Sequence, residues 1–181
     1  MNLAEQLRHK YPQSLGGKED NWEDVFRKLN IPIPDLFTAI YSNVAGTKRD
    51  INQQDLMDFT TGYRLIHISE FIHEIDNMRS VLSDKKFIDN EIVLPILANY
   101  SSDFICYYKC STGEEFIYTL MSDDGELIVM YNSPEKFLET VCEFCKQGVY
   151  FLDSDGYLDY DMDREGAIGS VINPGVAYWT E

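Results

Sequence analysis

IPIPDLFTAIYSNVAGT, residues 31–47, decides how the rest of the chain is read. Pro34 suits the first turn of a helix, where its missing N–H is no loss, and Asp35 puts a negative charge at that helix N-terminus. Leu36, Phe37, Ile40, Tyr41 and Val44 recur at intervals of three and four, which makes one broad apolar stripe. Gly46 stands where a left-handed cap costs least. The stretch therefore predicts a short amphipathic helix with defined ends. By itself it specifies packing and no chemistry.

Working outward, the 181 residues suit a single domain, and 44% apolar and 13% aromatic residues supply ample core. MNLAEQLRHKY at the start is charged and lacks the apolar run of a signal peptide. The longest apolar run, about the length of IVLPILA (92–98), falls far short of the roughly 20 residues a membrane span needs. A soluble, cytoplasmic protein is expected.

Charge is more informative. Fifteen basic and 31 acidic residues give −16, unevenly spread. Residues 1–90 hold 11 Lys/Arg and 14 Asp/Glu, and residues 91–181 hold 4 and 17. Nucleic-acid binding needs a basic surface to release counterions, so it is disfavoured. A basic protein partner would be steered to the C-terminal half.

Along the chain, residues 3–11 predict a helix, and Gly16–Gly17 separates it from a second, NWEDVFRKL (21–29), capped by Asp20 or Asn21. YRLIHI (63–68) has strand character, and Ser69 is positioned to cap the helix EFIHEIDNMRSVL (70–82). VLPIL (93–97) is apolar, but Pro95 restricts it to an edge or irregular strand. FICYYK (104–109), EFIYTLM (115–121) and ELIVMYN (126–132), separated by STG and DDG turns, predict an antiparallel meander. Ser133 and Pro134 open a helix, EKFLETVCEFCKQ, that Gly148 closes. VYFLD (149–153) predicts a last strand, and the acidic, glycine-rich tail beyond it carries no clear pattern.

Chemistry-bearing constellations are sparse. The cysteines at 106 and 110 and at 142 and 145 superficially resemble a zinc ribbon. On a strand, however, Cys106 and Cys110 stand roughly 13 Å apart at about 3.3 Å per residue, too far for thiolates bound to one zinc. The tail aspartates fit no complete EF-hand register: Asp159, Asp161 and Asp163 put Arg164 at the required glycine, and Asp153 and Asp155 put Phe151 at the first ligand position. His9, His67 and His73 share no motif, and no nucleophile elbow, zincin helix or phosphate loop is present. No catalytic residue, cofactor or metal is expected.

The bracketed helix, I-P-x-P-D-L-F-x-x-I-Y followed by an N-x-x-G turn, resembles the opening of the SUKH superfamily. That group includes fungal Smi/Knr-type cell-wall regulators and many bacterial immunity proteins. YRLIHISEF (63–71) resembles its strand-then-capped-helix segment, LPILANYSSDFICYY (94–108) its p-I-A-x-x-x-x-g-d-x-i-c segment, and NSPEKFLETVCEF (132–144) its late helix. The chain departs from the pattern in NVAGT, where an NGG-like turn is usual, and in Ser101–Ser102–Asp103, where glycine is often found. The resemblance implies an α+β domain with a mixed, largely antiparallel curved sheet flanked by helices. It implies a single domain over 1–181, with a core at 25–152, a helical extension at 1–24 and an acidic extension at 153–181. Pro34, Tyr41 and Gly46 would set where one helix starts, packs and stops.

The function the resemblance implies is binding rather than catalysis. One form is an immunity protein that neutralises a cognate, basic toxin domain of nuclease or deaminase type, without nucleic-acid or membrane contact. The alternative is an adaptor in cell-surface or cell-wall assembly. Asp153, Asp155, Tyr157, Asp159, Tyr160, Asp161 and Asp163 are the candidate partner-binding residues, because charge and tyrosines concentrate there.

Overall fold

The computed structural model describes residues 15–52, 58–82, 91–123 and 126–180. The helix expected at 3–11, His9 and most of the 123–125 turn lie outside them. Helix α1 (Glu23–Leu29) forms where expected, but neither Asp20 nor Asn21 caps it. Trp22 takes the N-cap position with helical angles, and the Asp24 amide donates to the Asn21 carbonyl at 3.1 Å. Asn30 ends the helix in the left-handed region, φ 55°.

Helix α2 (Asp35–Tyr41) is the bracketed one, and its four apolar stripe residues Leu36, Phe37, Ile40 and Tyr41 are buried. Pro34 sits one position earlier than expected, as an extended N-cap whose carbonyl accepts from Phe37 N at 3.0 Å. Gly46 has a different task from the one its position suggests. The helix closes at Ser42 without it, and Gly46 takes φ 89° against the next segment. A Cβ there would lie 2.3 Å from the Ile66 carbonyl oxygen. The glycine lets the chain pair closely with residues 65–68, through Thr47 N to Leu65 O and Ile68 N to Ala45 O, both 2.8 Å.

Five strands form one sheet in the order β1 (Arg64–Leu65), β2 (Ile92–Ala98), β3 (Phe104–Lys109), β4 (Glu115–Leu120) and β5 (Leu127–Tyr131), every neighbour antiparallel. A parallel bridge between Thr47 and Ile66 adds the mixed element. The predicted meander is present at β3, β4 and β5. Of the two outcomes expected at Pro95, the strand is irregular rather than at the sheet edge: β2 runs through it with a register shift between Pro95 and Leu97, and β1 pairs only beyond it. That shift, and another after Ile117, bend the sheet.

Side-chain alternation sorts the helices onto the two faces of the sheet. Tyr107 meets Phe37 of α2, with ring centroids 5.7 Å apart. Tyr131 is brought to the same face through Ile117 and packs 5.2 Å from Phe137 of α4 (Pro134–Gln147). Cys106, on the opposite face, touches Met78 of α3 (Phe71–Val81) at 3.5 Å.

The start of α3 also departs from expectation. His67, not Ser69, supplies the cap: its Nδ1 accepts from Ser69 N at 3.2 Å and opens a 3-10 turn, Ile68–Glu70, that leads into the helix. Beside it Arg64 is fully buried. Its guanidinium meets Glu74 at 2.5 Å, Glu70 at 3.0 Å and the Thr47 carbonyl at 2.7 Å, tying β1, α3 and the Gly46 segment together. A pair this buried stabilises little over an apolar alternative, but losing one partner strands the other.

Helix α4 follows its sequence signals closely, with Ser133 accepting from Lys136 N and Gly148 closing at φ 67°. The acidic tail then proves structured. β6 (Tyr150–Leu152) and β7 (Leu158–Tyr160) form a hairpin, followed by α5 (Met162–Ile172) and a 3-10 turn, Ala177–Trp179. Trp179 is buried against Tyr131 and Phe144, and its indole N–H donates to the Met130 carbonyl of β5 at 2.6 Å. The closing turn thus joins the C-terminal end of β5. The core reaches from Leu15 to Trp179.

Candidate partner-binding surface

The hairpin explains the aspartate spacing that invites a calcium reading. Asp153 N donates to the Tyr157 carbonyl at 2.9 Å, and Gly156 takes φ 89° inside the turn. Asp153 Oδ1 accepts from the Asp155 and Tyr157 amides, both 2.9 Å. D-S-D-G is therefore turn chemistry, with the first carboxylate turned onto its own backbone. Asp161 caps α5 by accepting from Arg164 N at 3.1 Å, where a carboxylate also meets the helix dipole. Asp159 accepts from the Tyr160 amide at 2.8 Å, which occupies part of the β7 edge.

The remaining candidates face outward. Asp155, Asp159 and Asp163 are exposed, Tyr157 is exposed, and Tyr160 is half-buried against the core. Among them stand apolar side chains that nothing among the described residues covers: Phe151 45% exposed, Leu152 58% and Met162 69%. Phe151 is opposite Asp159 on one face of the hairpin, and Leu152 is opposite Leu158 on the other. Among the described residues no Lys or Arg lies within ion-pair distance of Asp153, Asp155, Asp159, Asp161 or Asp163. Arg164, the basic residue nearest in sequence, donates to the Gln147 carbonyl at 2.8 Å.

Sequence reasoning missed Glu165 and its surroundings. Tyr150 donates to Glu165 Oε1 at 2.6 Å, and burial raises the Glu165 carboxyl above the usual carboxylate range. Its signal was in the sequence only as a glutamate inside a glycine-rich helix, with the partner tyrosine fifteen residues away.

The cysteines are dispersed. Cys106 and Cys145 are buried, Cys110 follows β3 and Cys142 lies on α4, all as free thiols. Among the described residues no three His, Cys, Asp or Glu side chains converge as ligands for one ion. Among them, too, no helix is long and apolar enough to cross a membrane.

A five-stranded antiparallel meander with helices on both faces, extended by an acidic and aromatic hairpin, defines an α+β domain. Residues 16–140 match the model of the SMI1/KNR4 family (SUKH-1), and the chain belongs to that family. No curated protein compared with it gives a match. The hairpin, α5 and the closing 3-10 turn all lie beyond the matched residues.

Proposed function

We propose that this chain is a non-catalytic immunity protein that neutralises a basic toxin domain of nuclease or deaminase type by binding it directly. The observation that carries this reading is the β6–β7 hairpin with the first turn of α5. It places exposed Phe151, Leu152, Tyr157 and Met162 beside carboxylates that have no basic partner among the described residues. Apolar anchors exclude water and unpaired carboxylates supply steering, the combination that suits a basic partner. A nuclease groove must be basic to hold phosphates, so it is complementary to this surface. Membership of the SUKH-1 family supports a binding domain, and the position of the hairpin outside the matched segment suits a partner specific to this chain.

The test is growth rescue. The C-terminal domain of the protein encoded immediately upstream is expressed with and without this chain. Toxicity relieved by this chain, and relieved less by a variant carrying Asp155→Lys, Asp159→Lys and Asp163→Lys, is the expected result. Toxicity that persists beside the wild-type chain overturns that pairing and favours the alternative role, an adaptor in cell-surface assembly.

A further inference from the structure

The side of the sheet that meets α3 carries a second aromatic cluster. Cys106 and Tyr118 stand opposite each other on β3 and β4, and Tyr108 and Phe116 form the next pair on that side. Val93 of β2 lies opposite Tyr108, and Val129 of β5 lies opposite Tyr118. Met78 of α3 covers the Cys106 end. Beyond it are three half-buried rings whose ring contacts are with one another. Tyr108 and Tyr118 are 5.1 Å apart between centroids and tilted by 60°, and Phe116 meets Tyr118 edge-on at 6.2 Å. Tyr108 donates its hydroxyl to Glu91 at 2.6 Å, while the Tyr118 hydroxyl has no partner among the described residues. At the end of this row the Cys110 amide donates to the Glu114 carbonyl, so Glu114 falls on the same side as the rings. Its side chain is exposed, and among the described residues no Lys or Arg lies within ion-pair distance of it.

We infer that Tyr108, Phe116 and Tyr118 form a docking ridge for an extended, proline-rich segment that carries a basic residue. β3 lies between β2 and β4, and β4 lies between β3 and β5, so their backbone groups are spent on the sheet. A ligand on this face is held by side chains alone, which rules out an added strand. A polyproline helix has no ladder to satisfy: its backbone stays solvated, and its rings pack on aromatic side chains. Its stiffness also lowers the cost of ordering it. The Tyr118 hydroxyl is placed to donate to one of its carbonyls. Glu114, a carboxylate at one end of the ridge, is complementary to a basic residue and fixes the direction in which the segment lies. This surface is on the sheet and not on the hairpin, and the inference does not depend on the immunity reading.

The test titrates the full chain with the acetylated, amidated peptide RPPPPPP, following the backbone amides of β3 and β4 by NMR. Two control peptides run in parallel, one with alanine in place of every proline and one with glutamate in place of the arginine. Saturable shifts with the arginine–proline peptide, and much weaker ones with both controls, are the expected result. Tyr118→Ala, checked as folded by circular dichroism and melting, should weaken binding by about tenfold, the scale of an anchoring aromatic. Glu114→Lys should weaken it as well, and because that side chain is exposed the variant keeps the test open if the tyrosine variant loses stability. Absence of saturation, equal binding of the alanine peptide, or undiminished binding by Tyr118→Ala overturns the ridge. Equal binding of the glutamate peptide, or binding unchanged by Glu114→Lys, overturns the basic residue as part of the ligand.

Discussion

Gly46 and Ser102 show how much a single backbone conformation decides here. Gly46 is held at φ 89° with the Ile66 carbonyl where a Cβ would go, so Gly46→Ala meets both left-handed strain and a clash with backbone that is itself hydrogen-bonded. A loss of about 3 kcal/mol or more is expected in urea melts, since the strain alone is worth roughly 1–2 kcal/mol. Ser102 stands where the family resemblance leads one to look for glycine, and it adopts φ 66° all the same. The loop is held in place around it: Asn99 Oδ1 accepts from Ser101 N and Asp103 N, each 2.8 Å, and Asp103 Oδ1 accepts from Ser122 N at 2.7 Å. Ser102→Gly should therefore stabilise by about 0.5–1 kcal/mol, read as a shift in urea midpoint with unchanged slope. The residue that looked like a departure from the pattern keeps its geometry and carries the strain.

At the scale of elements, what could be read in the sequence followed from local signals. Helix α2, the β3–β5 meander and α4 each have periodic apolar residues bounded by Pro, Gly or Ser within a few positions, and they form where expected. The tail resisted reading because its signals are long-range. Gly166 and Gly169 lower helix propensity in α5, and the reason for Gly169 is the Trp179 ring ten residues further on. Propensity alone makes Gly169→Ala stabilising by about 1 kcal/mol. The packing reverses the sign, and a lower melting temperature is the expected result. The hairpin turn at D-S-D-G was legible in principle, since Asp and Gly at those positions with apolar residues on either side are a turn signal. Abundant carboxylates drew attention to cations instead. The candidate aspartates were correspondingly legible as a charged strip, but the division between those that hold the turn and helix cap and those that face outward was not.

His67 belongs at this scale too, because it opens α3. Burial lowers its pKa from the ordinary 6.5, with Glu19 opposing the shift. The folded state therefore binds the proton less readily than the unfolded chain. The stability this contributes is complete above about pH 6.5 and is lost as pH falls through the lowered value. Stability measured from pH 8 to pH 5 should fall in that window for the wild type, and the fall should be shallower in His67→Gln.

For the molecule as a whole, the organising fact is that residues 173–179 tie back onto the end of β5 and onto α4. Asn173, fully buried, donates to Thr140 Oγ1 at 3.0 Å and accepts from Asn132 N at 3.2 Å, and Trp179 holds the Met130 carbonyl. Uncovered strand edges template association with other chains. Trp179→Ala should cost about 3–5 kcal/mol, in the range for large aromatic truncations in cores. Removal of residues 175–181 should also increase light scattering on warming, because it uncovers the Met130 carbonyl and the Tyr131 ring at the end of the edge strand. A truncated chain that melts as the wild type does and stays monodisperse would show that the edge needs no cover.

That closure has a temporal side. Met130 and Trp179 are separated by 49 positions along the chain. A ribosome adding about 5–20 residues per second takes roughly 2–10 s to travel from one to the other. Throughout that interval β5 has already been synthesised, while the tryptophan that will bind its Met130 carbonyl does not yet exist. Each new copy of this protein thus begins with a short period, fixed by the spacing of these two residues and by translation speed, during which the end of its edge strand lacks its tryptophan contact.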